Sequence, residues 1–70
     1  MSYNILLLED DHILSKEINT FLRSNNYQCD CIFDGEFVIS QFKLKDYDCI
    51  ILDINTKHAY YTVQILSKNT

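Results

Sequence analysis

Two uninterrupted apolar runs, each ending in acid, constrain this 70-residue chain more than anything else in it. Ile5-Leu6-Leu7-Leu8 leads directly into Glu9-Asp10-Asp11, and Cys49-Ile50-Ile51-Leu52 leads into Asp53. Short continuous apolar runs that stop at charge suit strands buried on both faces, which are the strands of parallel sheets. Parallel neighbours need a long crossover between them, and the intervening chain supplies one.

The first part of that crossover is periodic. Ile13, Leu14, Ile18, Phe21 and Leu22 recur at three- and four-residue intervals, with Lys16, Glu17, Asn19 and Arg23 on the other side. This spacing predicts an amphipathic helix over residues 13–22, with Asp11 as its N-cap and Asn25-Asn26 as its exit. Tyr27, Cys29, Cys31 and Phe33 then alternate with Gln28, Asp30, Ile32 and Asp34, the pattern of an edge strand with one more exposed face. Asp34-Gly35 is a turn signal, opening a second helical stretch striped by Phe37, Val38, Gln41, Phe42 and Leu44. The third strand is expected over residues 47–54.

The order β-α-β-α-β predicts an α/β fold with a parallel sheet and right-handed crossovers. Strands one and three are expected to be central and adjacent, with strand two at the edge. Tyr60, Val63, Ile65 and Leu66 are compatible with a short third helix. There is no repeat, low-complexity tract or linker, so residues 1–70 are expected to form one domain without an effector domain.

Composition narrows the function classes. An apolar fraction of 47% is enough for a core, although a chain this short buries only about 60% of its unfolded surface. A net charge of -4 with six Lys and Arg provides no basic stripe, which disfavours direct nucleic-acid binding. No apolar run is long enough for a bilayer and no basic leader precedes one, so the expected location is cytoplasmic, without membrane contact. Cys29, Cys31 and Cys49 have no disulfide-framework spacing, and Cys29 and Cys31, two apart on one face of a strand, are expected to pack as small apolar residues.

Ligands of open parallel sheets bind beyond the carboxyl ends of the strands, where both acidic ends lie. If strands one and three are neighbours, several carboxylates converge and repel, and a hard divalent cation such as Mg2+ is the natural relief. A solvated strand end is the bland alternative for Glu9 and Asp10, and a turn-starting aspartate for Asp53. Asp11 is sufficiently explained as an N-cap, His12 is expected to face solvent, and His58 has no evident role. The single glycine, after strand two, argues against a phosphate-cradling nucleotide loop. Nor does a nucleophile with an assignable histidine sit at a strand-to-helix turn, as hydrolase chemistry would need.

Taken in order, residues 5–11, Asp34-Gly35-Glu36 and residues 48–55 resemble the receiver domain of bacterial two-component response regulators, over about residues 3–55. The resemblance implies the N-terminal portion of a flavodoxin-like fold. It makes Glu9 and Asp10 a metal-binding pair, Asp53 the acceptor of a phosphoryl group from a sensor histidine kinase, and the Asn55 carbonyl a further Mg2+ ligand. By the same resemblance the chain is a phosphoacceptor, not an enzyme.

The chain also departs from the family. A full receiver has about five strands and five helices, and the hydroxyl and lysine that hold the phosphoryl oxygens come after strands four and five. Thr56, Lys57 and Lys68 do not stand in their places. Thr56-Lys57-His58-Ala59 replaces the usual proline-containing continuation after Asp53. This predicts a truncated receiver with impaired phosphorylation, and an open strand-three edge prone to self-association. The alternative is a non-catalytic fragment that binds a kinase or regulator without being phosphorylated.

Overall fold

The computed structural model describes residues 3–59. They form β1 (Asn4–Leu8), α1 (His12–Ser24), β2 (Gln28–Ile32), a 3-10 turn (Gly35–Phe37), α2 (Val38–Phe42) and β3 (Cys49–Leu52). The sheet is parallel in the order β2-β1-β3, with Ile5 between Cys29 and Cys49 and Leu8 between Ile32 and Leu52. This is the expected α/β arrangement, with β1 central, β3 beside it and β2 at the edge. The expected third helix lies outside the described residues.

β1 is central because both of its faces are apolar and both are covered. Leu6 and Leu8 pack with Val38 and Ala59, flanked by Ile32, Tyr47, Ile50 and Leu52. Ile5, Leu7 and Cys29 are buried on the opposite face, which carries α1. β3 lies beside β1 as expected, but among the described residues it is flanked on one side only. Cys49 and Ile51 are exposed on it, while Ile50 and Leu52 turn to the core.

α1 begins where the sequence placed it. Asp11 Oδ1 accepts from the Ile13 and Leu14 amides at 3.0 and 3.1 Å, and Asn26 leaves the helix in left-handed backbone at φ 69°. The face it buries is a correction. Asn19, expected among the solvent-side residues, points at the sheet, and its Nδ2 donates to Cys29 O and Cys31 Sγ. Arg23 Nη2 donates to the same carbonyl at 2.9 Å, and Ser15 is buried between them and the N-cap. Ile13 and Phe21 are 75% and 66% exposed. An edge strand leaves alternate carbonyls without a ladder partner, and Asn19 and Arg23 supply the donors for Cys29 O.

The second stripe is also narrower than expected. α2 has five residues, too few to present a long face; Val38 is fully buried, whereas Phe37 and Leu44 are exposed. Gln41 donates to the Tyr47 hydroxyl, which donates to Asp30 Oδ2 at 2.6 Å, and Lys45 pairs with the same oxygen at 2.8 Å. That network ties the α2–β3 connection to β2. No helix among the described residues is long and apolar enough to cross a membrane.

Candidate functional site

The strand ladders fix the carboxyl ends of β1 and β3 side by side. Glu9 N donates to Ile32 O and Asp53 N donates to Leu8 O, each at 3.0 Å, extending both pairings one residue past the strands. Glu9, Asp10 and Asp53 therefore converge, with one carboxylate oxygen from each inside a common 4.8 Å. Glu9 is 5% exposed, Asp53 half-buried and Asp10 exposed, so the group is open to solvent on one side.

Its electrostatics are unrelieved. The Asp11 amide donates to Glu9 Oε2 at 3.1 Å and pulls the Glu9 pKa down, but burial and the nearby Asp53 carboxylate together outweigh it. The Glu9 pKa is raised as a result. Three hard oxygen donors that repel one another fit a small divalent cation with room left for water, which is the coordination Mg2+ favours.

The chain after Asp53 folds back as a tight turn. Asn55 N donates to Asp53 Oδ1 at 2.9 Å, and Thr56 N donates to Asp53 O at 3.0 Å. Thr56 is 3% exposed, and its hydroxyl accepts the Asp10 amide at 3.3 Å. Sequence reasoning named Glu9, Asp10, Asp53 and the Asn55 carbonyl but gave Thr56 no role. No local pattern marks a threonine whose partner is forty-six positions away.

A second group was missed as well. Asp34, Glu36 and His58 also place a ligand atom each within 4.8 Å of one another. Here Asp34 Oδ1 accepts from both the Glu36 amide and His58 Nδ1, each at 2.9 Å. The Glu36 amide, seconded by His58, lowers the Asp34 pKa. His58 sits in left-handed backbone at φ 61°, and Gly35 N donates to Lys57 O at 2.8 Å. A Cβ on Gly35 would lie 2.3 Å from His58 O, so only glycine allows this approach. The geometry is that of a clasp holding the loop after β3 onto the turn after β2. His12 is exposed, as expected, and stacks on Phe33 with ring centroids 4.0 Å apart.

No family model matches the chain. Curated relatives do. The chain is 32% identical over 54 residues to the transcriptional regulatory protein CrdR of Helicobacter pylori, which is 77% of this chain and 25% of that protein. It is 37% identical over 54 residues to the regulatory protein VanRB of Enterococcus faecalis, 77% of this chain and 24% of that one. It is 39% identical over 51 residues to the cell cycle response regulator CtrA of Brucella ovis, 73% of this chain and 22% of that regulator. The chain is receiver-domain sequence of the response-regulator family. It spans about a quarter of the length of these relatives. The receiver resemblance of residues 3–55 is thus borne out, and in this receiver segment the acidic group lies at the carboxyl ends of two adjacent parallel strands.

Proposed function

We propose that residues 1–70 act as a partial receiver in a two-component phosphorelay, in which Asp53 accepts a phosphoryl group from the phosphohistidine of a sensor histidine kinase. The observation that carries this reading is the convergence of Glu9, Asp10 and Asp53 within 4.8 Å at neighbouring strand ends. The three carboxylates and the Asn55 carbonyl would hold Mg2+. When bound, the ion supplies neutralising charge between the acceptor carboxylate and the phosphoryl oxygens.

Asp53 carries the covalent step. A carboxylate oxygen attacks phosphorus in line, an O–P bond forms as the N–P bond of the donor breaks, and the electron pair leaves with the imidazole. The Asn55 amide holds the Asp53 carboxylate in direction, and Glu9 and Asp10 set the charge around it. The chain is an acceptor in this scheme, not an enzyme turning over a separate substrate, and its place is the cytoplasm, with the kinase. Neither nucleic acid nor membrane has a part in it.

The test is to incubate the 70-residue chain with a phosphorylated histidine kinase, with and without Mg2+, and to weigh the product. One added phosphoryl group that depends on Mg2+ and is abolished by Asp53→Asn is the expected result; an unmodified wild-type chain overturns the reading.

A second reading is favoured by the exposed Ile13, Leu14 and Phe21 on α1, an apolar strip fit for a partner. On that reading the chain binds a kinase or regulator without being phosphorylated, and Asp53→Asn leaves binding intact. The outer edge of β3, with Ile51 38% exposed, supports self-association through that strand. Sedimentation of Ile51→Lys against wild type tests it, and an unchanged oligomeric state overturns it.

A further inference from the structure

We infer that Thr56 is a positioning residue for the proposed metal site: its buried hydroxyl holds the Asp10 amide, and so fixes the Glu9-Asp10 pair against the loop that carries Asp53. The inference rests on the metal-site reading above and adds to it a residue to which the family resemblance gave no part.

The site is built from two pieces of chain, the exit of β1 with Glu9 and Asp10 and the exit of β3 with Asp53 and Asn55. Main-chain bonds align the pieces only as far as Leu8 O and Asp53 N. Beyond that point the bond from Asp10 N to Thr56 Oγ1, at 3.3 Å, joins them. Both carboxylates of the first piece flank the peptide unit whose N–H Thr56 accepts. Their placement relative to Asp53 follows from it.

Thr56 is suited to this because it cannot drift. Its amide is bonded to Asp53 O, its carbonyl accepts the Ala59 amide at 3.0 Å, and the next residue's carbonyl is held by Gly35 N. Its side chain is 3% exposed, so water does not compete freely for the hydroxyl. A valine of the same shape fills the space and leaves the Asp10 amide without that acceptor in a partly buried place. Mg2+ demands near-ideal octahedral geometry, so a small displacement of two of its carboxylates weakens it more than it weakens the fold.

The test is amide-resolved NMR of the 70-residue chain, titrated with Mg2+ alone, for wild type, Thr56→Ser and Thr56→Val. In metal-free wild type the Asp10 amide is expected to be protected from hydrogen exchange. Thr56→Ser keeps the acceptor and is expected to bind Mg2+ within about twofold of wild type, whereas Thr56→Val binds about tenfold more weakly and loses the Asp10 protection. Equal Mg2+ affinity for the valine variant overturns the inference. So does an unprotected Asp10 amide in wild type, a result that stands even if the valine chain does not fold. A wild type that ignores Mg2+ while protecting Asp10 sinks the metal-site reading, and with it the role of Thr56 there, but leaves the bond itself established.

Discussion

Two groups of three side chains, each within 4.8 Å, sit on the loops of this small domain and have opposite electrostatics. In the clasp of Asp34, Glu36 and His58, an imidazole and a backbone amide satisfy one oxygen of the half-buried Asp34 carboxylate, and the Asp34 pKa is lowered. In the group of Glu9, Asp10 and Asp53, one amide serves Glu9, but burial and a second carboxylate prevail and its pKa is raised. The first group is finished by the chain itself and holds a loop in place. The second is left short of positive charge, which is what an ion-binding and reacting centre requires.

Breaking the clasp should have the largest effect. Gly35→Ala drives a methyl group into the backbone of His58 and Ala59, at 2.3 to 2.7 Å, where no flexible side chain can yield. A loss of about 3 kcal/mol in chemical denaturation is expected, a large part of the stability of so short a chain. The acidic group should respond in the other direction. Mg2+ at a hundred times its dissociation constant is expected to add about 2.7 kcal/mol, and chelation to remove it. Asp53→Asn should abolish that gain and bring the Glu9 pKa down towards 4.5, both readable by thermal melts and carboxyl NMR.

The pH dependence sharpens the contrast. Glu9, with its raised folded pKa, contributes stability that is full below 4.5 and is lost as pH rises through its folded value. Asp34, with its lowered pKa, contributes stability that is present above 3.8 and is lost as pH falls through its folded value. Carboxyl titrations should therefore give a midpoint above 4.5 for Glu9 and below 3.8 for Asp34; both on the same side would erase the distinction. The smallest effect is expected from His58→Ala. It removes the hydrogen bond and the charge of His58 but leaves the Glu36 amide, the largest influence on Asp34, and the midpoint of Asp34 should move only part of the way back to 3.8.

The features legible in the sequence were those encoded locally. The run from Ile5 to Leu8 announces a central strand, Asp11 before a periodic stretch announces a capped helix, and acid at both strand ends announces the site once the strands are placed side by side. What was illegible depends on partners distant in sequence. Asn19 reads as a solvent-side residue until the Cys29 carbonyl on the sheet edge claims it. Thr56 and His58 read as an irregular tail after Asp53 until Asp10 and Asp34 are seen opposite them. The apolar stripe of α1 was real as a pattern but did not say which of its residues would face the sheet, since periodicity does not know where an edge strand needs donors.

The pairing of β1 with β3 also bears on how the protein reaches its native state. Asn4 and Asp48, bonded at the start of that pairing, are 44 residues apart, more than half the chain, so the contact closes a long loop before it returns any free energy. α1 with β2 can form early from neighbouring sequence, but Glu9 and Asp53 meet only after that late closure. Cation binding in a stopped-flow refolding experiment should therefore track the final phase of folding, making the acidic group a timer for completion of the sheet.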